Sequence, residues 1–231
     1  MCGRFPGPKR AKALALYGAV MRELAGGAPS VADDRINYNV APTQESLVFV
    51  HEDGRRLGES QQWGWRPPFM DGRPLPNAVA ETAPTKPTFA HAFRFRRCVV
   101  PAAGFFEWRE EGKARRPFLF SVKDAEVCAI AGLWTVERTV EKTVAGEAER
   151  DVRRFLLLTT PANAVVAPVH HRQAVLLDQD GVDAWLDPST PPDRLVALCT
   201  AFPAEKMEAC ELSTLVNNYR NAGPEILAPI A

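Results

Sequence analysis

Twenty prolines in a chain of 231 residues set the first limit on its fold. Each proline fixes φ at about −65° and removes a backbone donor, so many short elements joined by fixed turns are expected rather than long helices. Strand-like apolar runs occur at residues 47–50, 61–65, 98–101, 104–108, 118–122, 127–136, 154–160 and 174–177. Helical spacing occurs at 9–25 (Ala13, Leu16, Val20, Leu24), with Gly26-Gly27 as its stop, and again at 182–186 and 192–200. The charged turn at 109–116 predicts a hairpin, and residues 161–168 predict a helical turn. Residues 137–152 are charged, with Thr and Val in partial alternation, and read as a long exposed hairpin or loop insertion. Strands in runs with helices at their margins indicate an α+β class. We expect a single domain over 1–231, with a largely antiparallel, barrel-like β core and peripheral helices.

Composition narrows the function classes. With 46% hydrophobic and 24% charged residues the chain reads as soluble and globular. Its 28 basic residues balance its 28 acidic ones, so any nucleic-acid contact must come from a local cluster and not from a global positive field. The five cysteines (Cys2, Cys98, Cys128, Cys199, Cys210) are scattered and form no C-x-x-C, which predicts a reducing compartment and no zinc site. A cytoplasmic location is expected, since no run approaches the length of a signal-peptide core or a membrane span. We expect no metal, no cofactor, no membrane partner and a monomeric chain.

The N-terminal stretch Met1-Cys2-Gly3-Arg4-Phe5 carries the sharpest chemistry. If Met1 is removed, which the small Cys2 side chain permits, residue 2 presents a thiol and a free α-amine two carbons apart. The unperturbed pKa values, about 7.7–8.0 for the amine and about 8.5 for the thiol, let both groups reach their nucleophilic forms near neutrality. The amine condenses with an aldehyde to an imine, and the sulfur then closes on the imine carbon to give a thiazolidine. An inert buried cysteine fits the same letters.

Four other constellations can carry chemistry. Glu107 lies between aromatics in Gly104-Phe105-Phe106-Glu107-Trp108; facing inward it becomes a general acid with a raised pKa, facing water an ordinary edge-strand carboxylate. His170 precedes a strand and Arg172, where it is either a proton carrier or a surface loop histidine. Asn77 follows a proline-rich loop and can orient an amine or a substrate oxygen, or simply form a turn. Basic and aromatic residues interleave at Phe93-Arg94-Phe95-Arg96-Arg97 and around Trp63, Trp65 and Phe69, as single-strand binding requires; a solvated arginine face over an aromatic core explains them equally.

Taken together these stretches resemble the SRAP (SOS response-associated peptidase) family. The matching pieces are MCGRF at 1–5, YNVAPT at 38–43, WGW at 63–65, NAVAET at 77–82, RRCVVP at 96–101, GFFEW at 104–108, AGLW at 131–134, LLTT at 157–160 and HHR at 170–172. They follow the family's order and span most of the chain. The resemblance implies covalent capture of abasic sites in single-stranded DNA during the DNA damage response. It assigns Cys2 as nucleophile, Asn77 as its positioner, Glu107 as the acid/base for opening the abasic sugar, and His170 as proton carrier. Arg4 and Arg172 become phosphate ligands, and Trp65 and Trp108 aromatic contacts to the strand.

Two departures stand out. Val79 occupies a position where the family usually has an arginine, which removes one expected phosphate contact, and Gln173-Ala174 stands where Met-Pro is usual. Two rival functions are also compatible with the letters. One is a peptidase or autoprotease in which Cys2, His170 and Glu107 act together, most naturally on the Met1 bond; the other is a non-catalytic module that binds single-stranded or modified DNA.

Overall fold

The computed structural model describes residues 2–22, 35–112, 114–143 and 146–230, with the backbone alone at 141–143 and 146–148. Its strands are β1 (Val20–Met21), β2 (Glu45–Glu52), β3 (Arg55–Trp63), β4 (Asn77–Val79), β5 (Arg97–Ala102), β6 (Phe105–Glu111), β7 (Ala114–Val122), β8 (Cys128–Thr143), β9 (Gly146–Pro161), β10 (Arg172–Ala174), β11 (Leu176–Leu177) and β12 (Met207–Glu211). The helices are α1 (Arg10–Tyr17), α2 (Pro87–Phe95), α3 (Gln179–Leu186) and α4 (Pro192–Leu198).

Five of these strands close into a barrel. Antiparallel pairs link β3 to β2, β2 to β5, β5 to β8 and β8 to β9, and a short parallel pairing of Gln62 and Trp63 with Arg154 and Phe155 joins β9 back to β3. Closure leaves these strands with no free edge between them. Strand alternation then sorts the side chains: Phe155 and Leu157 of β9 point into the interior with Val48, Val50, Trp63, Cys98, Val100 and Ile130, while Leu156 and Leu158 face outward under the helices. The helices α2 and α3 cover that outer layer, with the Phe93 ring edge-on to Trp185 at 5.5 Å. A second sheet of β6, β7 and β12 stands beside the barrel mouth. The expected α+β class with a barrel-like core is therefore the architecture observed.

Several element expectations are corrected. The first helix stops at Tyr17, because Gly18 takes the left-handed conformation with φ 59°, and Val20 then enters β1 beside β3. Its expected stop at Gly26-Gly27 lies outside the described residues. The interleaved segment at 93–97 is the end of α2 and the start of β5: Phe89, Ala92 and Phe93 fall on one buried helical face. Arg97 is also buried, donating to the carbonyls of Trp185, Phe93 and Asp187. Residues 137–143 and 146–152 form the two arms of a ribbon continuing β8 and β9, with the exposed Arg138 beside Glu149 at 3.5 Å.

Candidate active site

The N-terminal segment is stitched into the barrel mouth as an extra short strand. Phe5 exchanges backbone hydrogen bonds with Val40 at 3.1 and 2.9 Å, and Arg4 O accepts from the Phe106 N–H at 3.0 Å. The Phe5 ring packs on Trp63 at 5.0 Å and anchors the segment in the interior core. Cys2 is fully buried, and its carbonyl accepts from Asn77 Nδ2 at 2.8 Å. Asn77 is held in turn by β4, which runs parallel to β9 with Asn77 opposite Leu157. The Asn77 Oδ1 is also buried and has no hydrogen-bond partner among the described residues, so it is a free acceptor next to Cys2.

Glu107 reaches the same place from the second sheet. Gly104 precedes β6 with φ 153°, and a Cβ there would lie 2.4 Å from the Phe120 carbonyl oxygen, so only glycine lets the chain enter the strand on this path. Strand alternation then turns Glu107 inward, 3% exposed. Burial, which disfavours the carboxylate, pushes its pKa up to about 7.

His170 stands at the end of a tight loop. Asn163 Oδ1 accepts from the N–H groups of Val165 and Val166, Val166 O accepts from the His170 N–H at 3.0 Å, and Gln173 Oε1 accepts from the Asn163 N–H at 2.7 Å. The fully buried Gln173 thus fixes the loop from below. His170 Nδ1 lies 3.9 Å from Glu107 Oε1 and 3.0 Å from both the backbone N–H and the carbonyl oxygen of Arg172, so it accepts from the one or donates to the other according to its tautomer. Burial lowers its pKa, in keeping with a neutral ring.

A cleft of about 730 Å³ is lined by Glu107 and His170, while Cys2 and Asn77 lie outside its lining. Gly3 and Arg4 form its floor, Glu107, Trp108, Arg109, Glu110 and Arg115 one wall, and residues 167–171 the other. Trp108 is nearly buried, its Nε1 donating to Asn217 Oδ1 at 2.6 Å.

The remaining expected site residues divide. Arg4 lines the cleft, but its guanidinium already donates to the Val216 carbonyl, to Asn217 O at 3.0 Å and to Asn39 Oδ1 at 3.5 Å. Arg172 is not in the cleft wall: it makes a two-pronged ion pair with Glu81 at 2.8 and 2.7 Å and bonds Thr159. Trp65 is a correction. It is buried in the outer core against Phe89, with its Nε1 on the Arg154 carbonyl at 3.3 Å, so no base can stack on it. The thiol expectation needs correction as well. Burial first, and the charge of Glu107 second, push the Cys2 thiol well above its ordinary value, so it is not thiolate at neutral pH without a proton acceptor.

Four residues of the site were not singled out from the sequence: Asn39, Arg115, His171 and Asn217. Asn39 is fully buried and its amide donates to the carbonyls of Val216, Asn218 and Asn221 at 3.1, 3.2 and 2.9 Å, pinning the C-terminal segment behind Arg4. Its place inside the Tyr-Asn-Val-Ala-Pro-Thr match was a usable signal. His171 stacks on His170 at 4.3 Å on the cleft wall.

Comparison with known proteins fits this geometry. The model of the SOS response associated peptidase (SRAP) family matches residues 1–219. The abasic site processing protein YoqW of Bacillus subtilis strain 168 is 33% identical over 198 residues, covering 83% of this chain and 85% of that one. The abasic site processing protein YedK of Escherichia coli K12 is 27% identical, with both chains covered in full. A solved protein from Bacteroides thetaiotaomicron superposes with a TM-score of 0.81 at 25% identity, again over the whole of both chains. With its barrel, its buried Cys2 and its whole-length match, the chain belongs to the SRAP family.

Proposed function

We propose that this protein captures abasic sites in single-stranded DNA as a covalent thiazolidine on Cys2, after removal of Met1. The observation that carries the reading is the chain of contacts from Asn77 to the Cys2 carbonyl, from the Glu107 charge to the buried Cys2 thiol, and from Glu107 to His170, which together with Glu107 lines one cleft. The names of the relatives supply the substrate class.

The chemistry balances with these groups alone. The abasic sugar opens when the neutral His170 takes the C1′ hydroxyl proton and passes it to O4′ as the C1′–O4′ bond breaks, leaving an aldehyde at C1′, a free hydroxyl at C4′ and His170 neutral again. The α-amine adds to that carbon. Protonated Glu107 gives its proton to the resulting hydroxyl, water leaves, and an iminium remains next to a Glu107 carboxylate. That carboxylate takes the Cys2 thiol proton. The sulfur closes on C1′, the iminium electrons return to nitrogen, and Glu107 ends as it began. A thiol with a raised pKa suits this order, because it stays unreactive until the carboxylate appears beside it.

The deciding experiment is denaturing electrophoresis with intact mass measurement on an abasic oligonucleotide. The expected product is a heat-stable adduct of protein plus oligonucleotide minus one water. Cys2→Ala should lose it while still giving an imine that borohydride traps. An equal heat-stable adduct from Cys2→Ala removes the aminothiol from the mechanism, peptide hydrolysis without adduct supports the peptidase alternative, and neither product supports a binding module.

A further inference from the structure

Two guanidinium groups lie over the Trp108 indole, Arg4 at 4.5 Å and Arg115 at 5.4 Å from the ring centroid. Among the described residues neither makes an ion pair with a carboxylate, although the charge of Arg115 is felt by Glu107. Arg4 gives its protons to neutral oxygens of Val216, Asn217 and Asn39. The Arg115 side chain makes no hydrogen bond or ion pair among the described residues; only its backbone carbonyl is used, accepting from Asn217 Nδ2 at 3.2 Å.

The neighbours of Arg115 make that choice informative. Arg109 and Arg116, paired to each other across the β6–β7 hairpin, both find carboxylates: Arg109 bonds Glu111 at 2.7 Å, and Arg116 bonds Glu111 and Glu211. Arg115 has Glu110 directly opposite on the same face, yet its guanidinium lies over Trp108 in the cleft. Burial, and next the charge of Arg115, lower the Arg4 pKa, so the two cations feel one another. Like charges held close to one ring are relieved by an anion that binds them both. A guanidinium fork fits the paired oxygens of a phosphate, and stacking on the indole holds that fork in the plane required.

We propose that Arg115, with Arg4 at the same Trp108 ring, forms a phosphate subsite on the hairpin wall that receives a phosphate of the bound strand and so sets the sugar near Cys2. The subsite rests on the function proposed above. Its ligand is either a backbone phosphodiester next to the abasic sugar or the terminal phosphate of a strand ending there; both offer the same oxygens.

The test uses single-stranded DNA with a tetrahydrofuran in the abasic position, which has no aldehyde, so binding is read apart from capture. Arg115→Gln should bind it roughly tenfold more weakly, with a salt slope reduced by about 0.7–1. Arg115→Lys should recover part of the affinity. In the same assay each phosphate in turn is replaced by a neutral methylphosphonate, and the 5′ end is either phosphorylated or free. One replacement should cost the wild type about what Arg115→Gln costs and cost the variant nothing further; whether it is internal or terminal names the source of the phosphate. Losses that simply add at every position would make Arg115 a structural residue and overturn the subsite, as would wild-type affinity and slope in Arg115→Gln. Absence of crosslinking to true abasic DNA by the wild type would instead overturn the proposed function and leave this measurement standing.

Discussion

Asn77 donates its side-chain amide to the Cys2 carbonyl oxygen at 2.8 Å, tying strand β4 to the very residue whose amine and thiol are proposed to react. Both partners are buried, so the bond is shielded from water. Asn77→Ala leaves the Cys2 carbonyl without its donor and frees the segment to rotate. Crosslinking should slow by about tenfold or more, the loss that misplaced reacting groups bring, while global stability falls by only about 1–3 kcal/mol. Asn77→Asp should be no better, since a carboxylate cannot donate. Single-turnover crosslinking beside urea unfolding separates the two effects, and a crosslinking rate that tracks stability alone would remove Asn77 from the positioning role.

Glu107 makes a pH prediction whose sign is fixed by its raised pKa. Its ordinary value is 4.5 and its folded value about 7, so between those limits the folded state binds more protons than the unfolded state. Stability from this group is full below about pH 4.5, is lost as pH rises to about 7, and is flat beyond; the loss is on the order of 3 kcal/mol. His170, with its lowered pKa, acts in the opposite sense in the acid range. Glu107→Gln isolates the carboxyl term: relative to the wild type it should gain stability as pH rises from 5 to 8, while crosslinking drops by roughly a hundredfold. Parallel stability curves for the two proteins would mean that Glu107 is not held protonated.

The pieces legible in the sequence were those whose chemistry is local. The unbroken apolar run Phe155, Leu156, Leu157 and Leu158 marks a central strand buried on both faces, whereas the aromatic flanks of Glu107 left open which way its carboxylate turns. Helix α2 was hidden because its apolar spacing, Phe89, Ala92 and Phe93, runs into the interleaved Phe93-Arg94-Phe95 letters that also satisfy a nucleic-acid-binding pattern. Trp65 misled for a related reason: a tryptophan in a matching motif serves a core as readily as a cleft. The commitments of Arg4 and Arg172 could not be read at all. Their partners, Val216 and Asn217 for one and Glu81 for the other, are set by tertiary contacts across 212, 213 and 91 positions of chain.

Asn39 supports the cleft from behind. Its amide serves three backbone carbonyls in the segment that Arg4 and Trp108 also grip, that of Val216 jointly with Arg4, so Asn39→Ala removes three hydrogen bonds that hold this segment. The cost should be about 3 kcal/mol, seen as a lower urea midpoint at unchanged m-value, and DNA affinity should fall with it because Arg4 loses its support. Trp65→Phe provides the contrast: it removes the bond to the Arg154 carbonyl and some core packing, yet it should leave DNA affinity within about twofold of wild type once folding is controlled. A loss of affinity in Trp65→Phe without loss of stability would restore that residue to the binding surface.

The last prediction concerns Met1, which lies outside the described residues. While Met1 is present the Cys2 nitrogen is a secondary amide, its lone pair delocalised into the Met1 carbonyl, and it cannot condense with an aldehyde. The only amine then available is that of Met1, one residue removed from the thiol, and no five-membered ring can close through it. Protein retaining Met1 should therefore bind single-stranded DNA through the cleft but form no thiazolidine. Removing Met1 with a methionine aminopeptidase should restore crosslinking in proportion to the processed fraction measured by intact mass. Self-cleavage makes a different demand: Glu107→Gln or His170→Ala would then retain Met1 even with the aminopeptidase active in the host. Full processing in both variants assigns the trimming to the host enzyme, whereas a heat-stable adduct on protein proven to keep Met1 would refute the amine-first chemistry altogether.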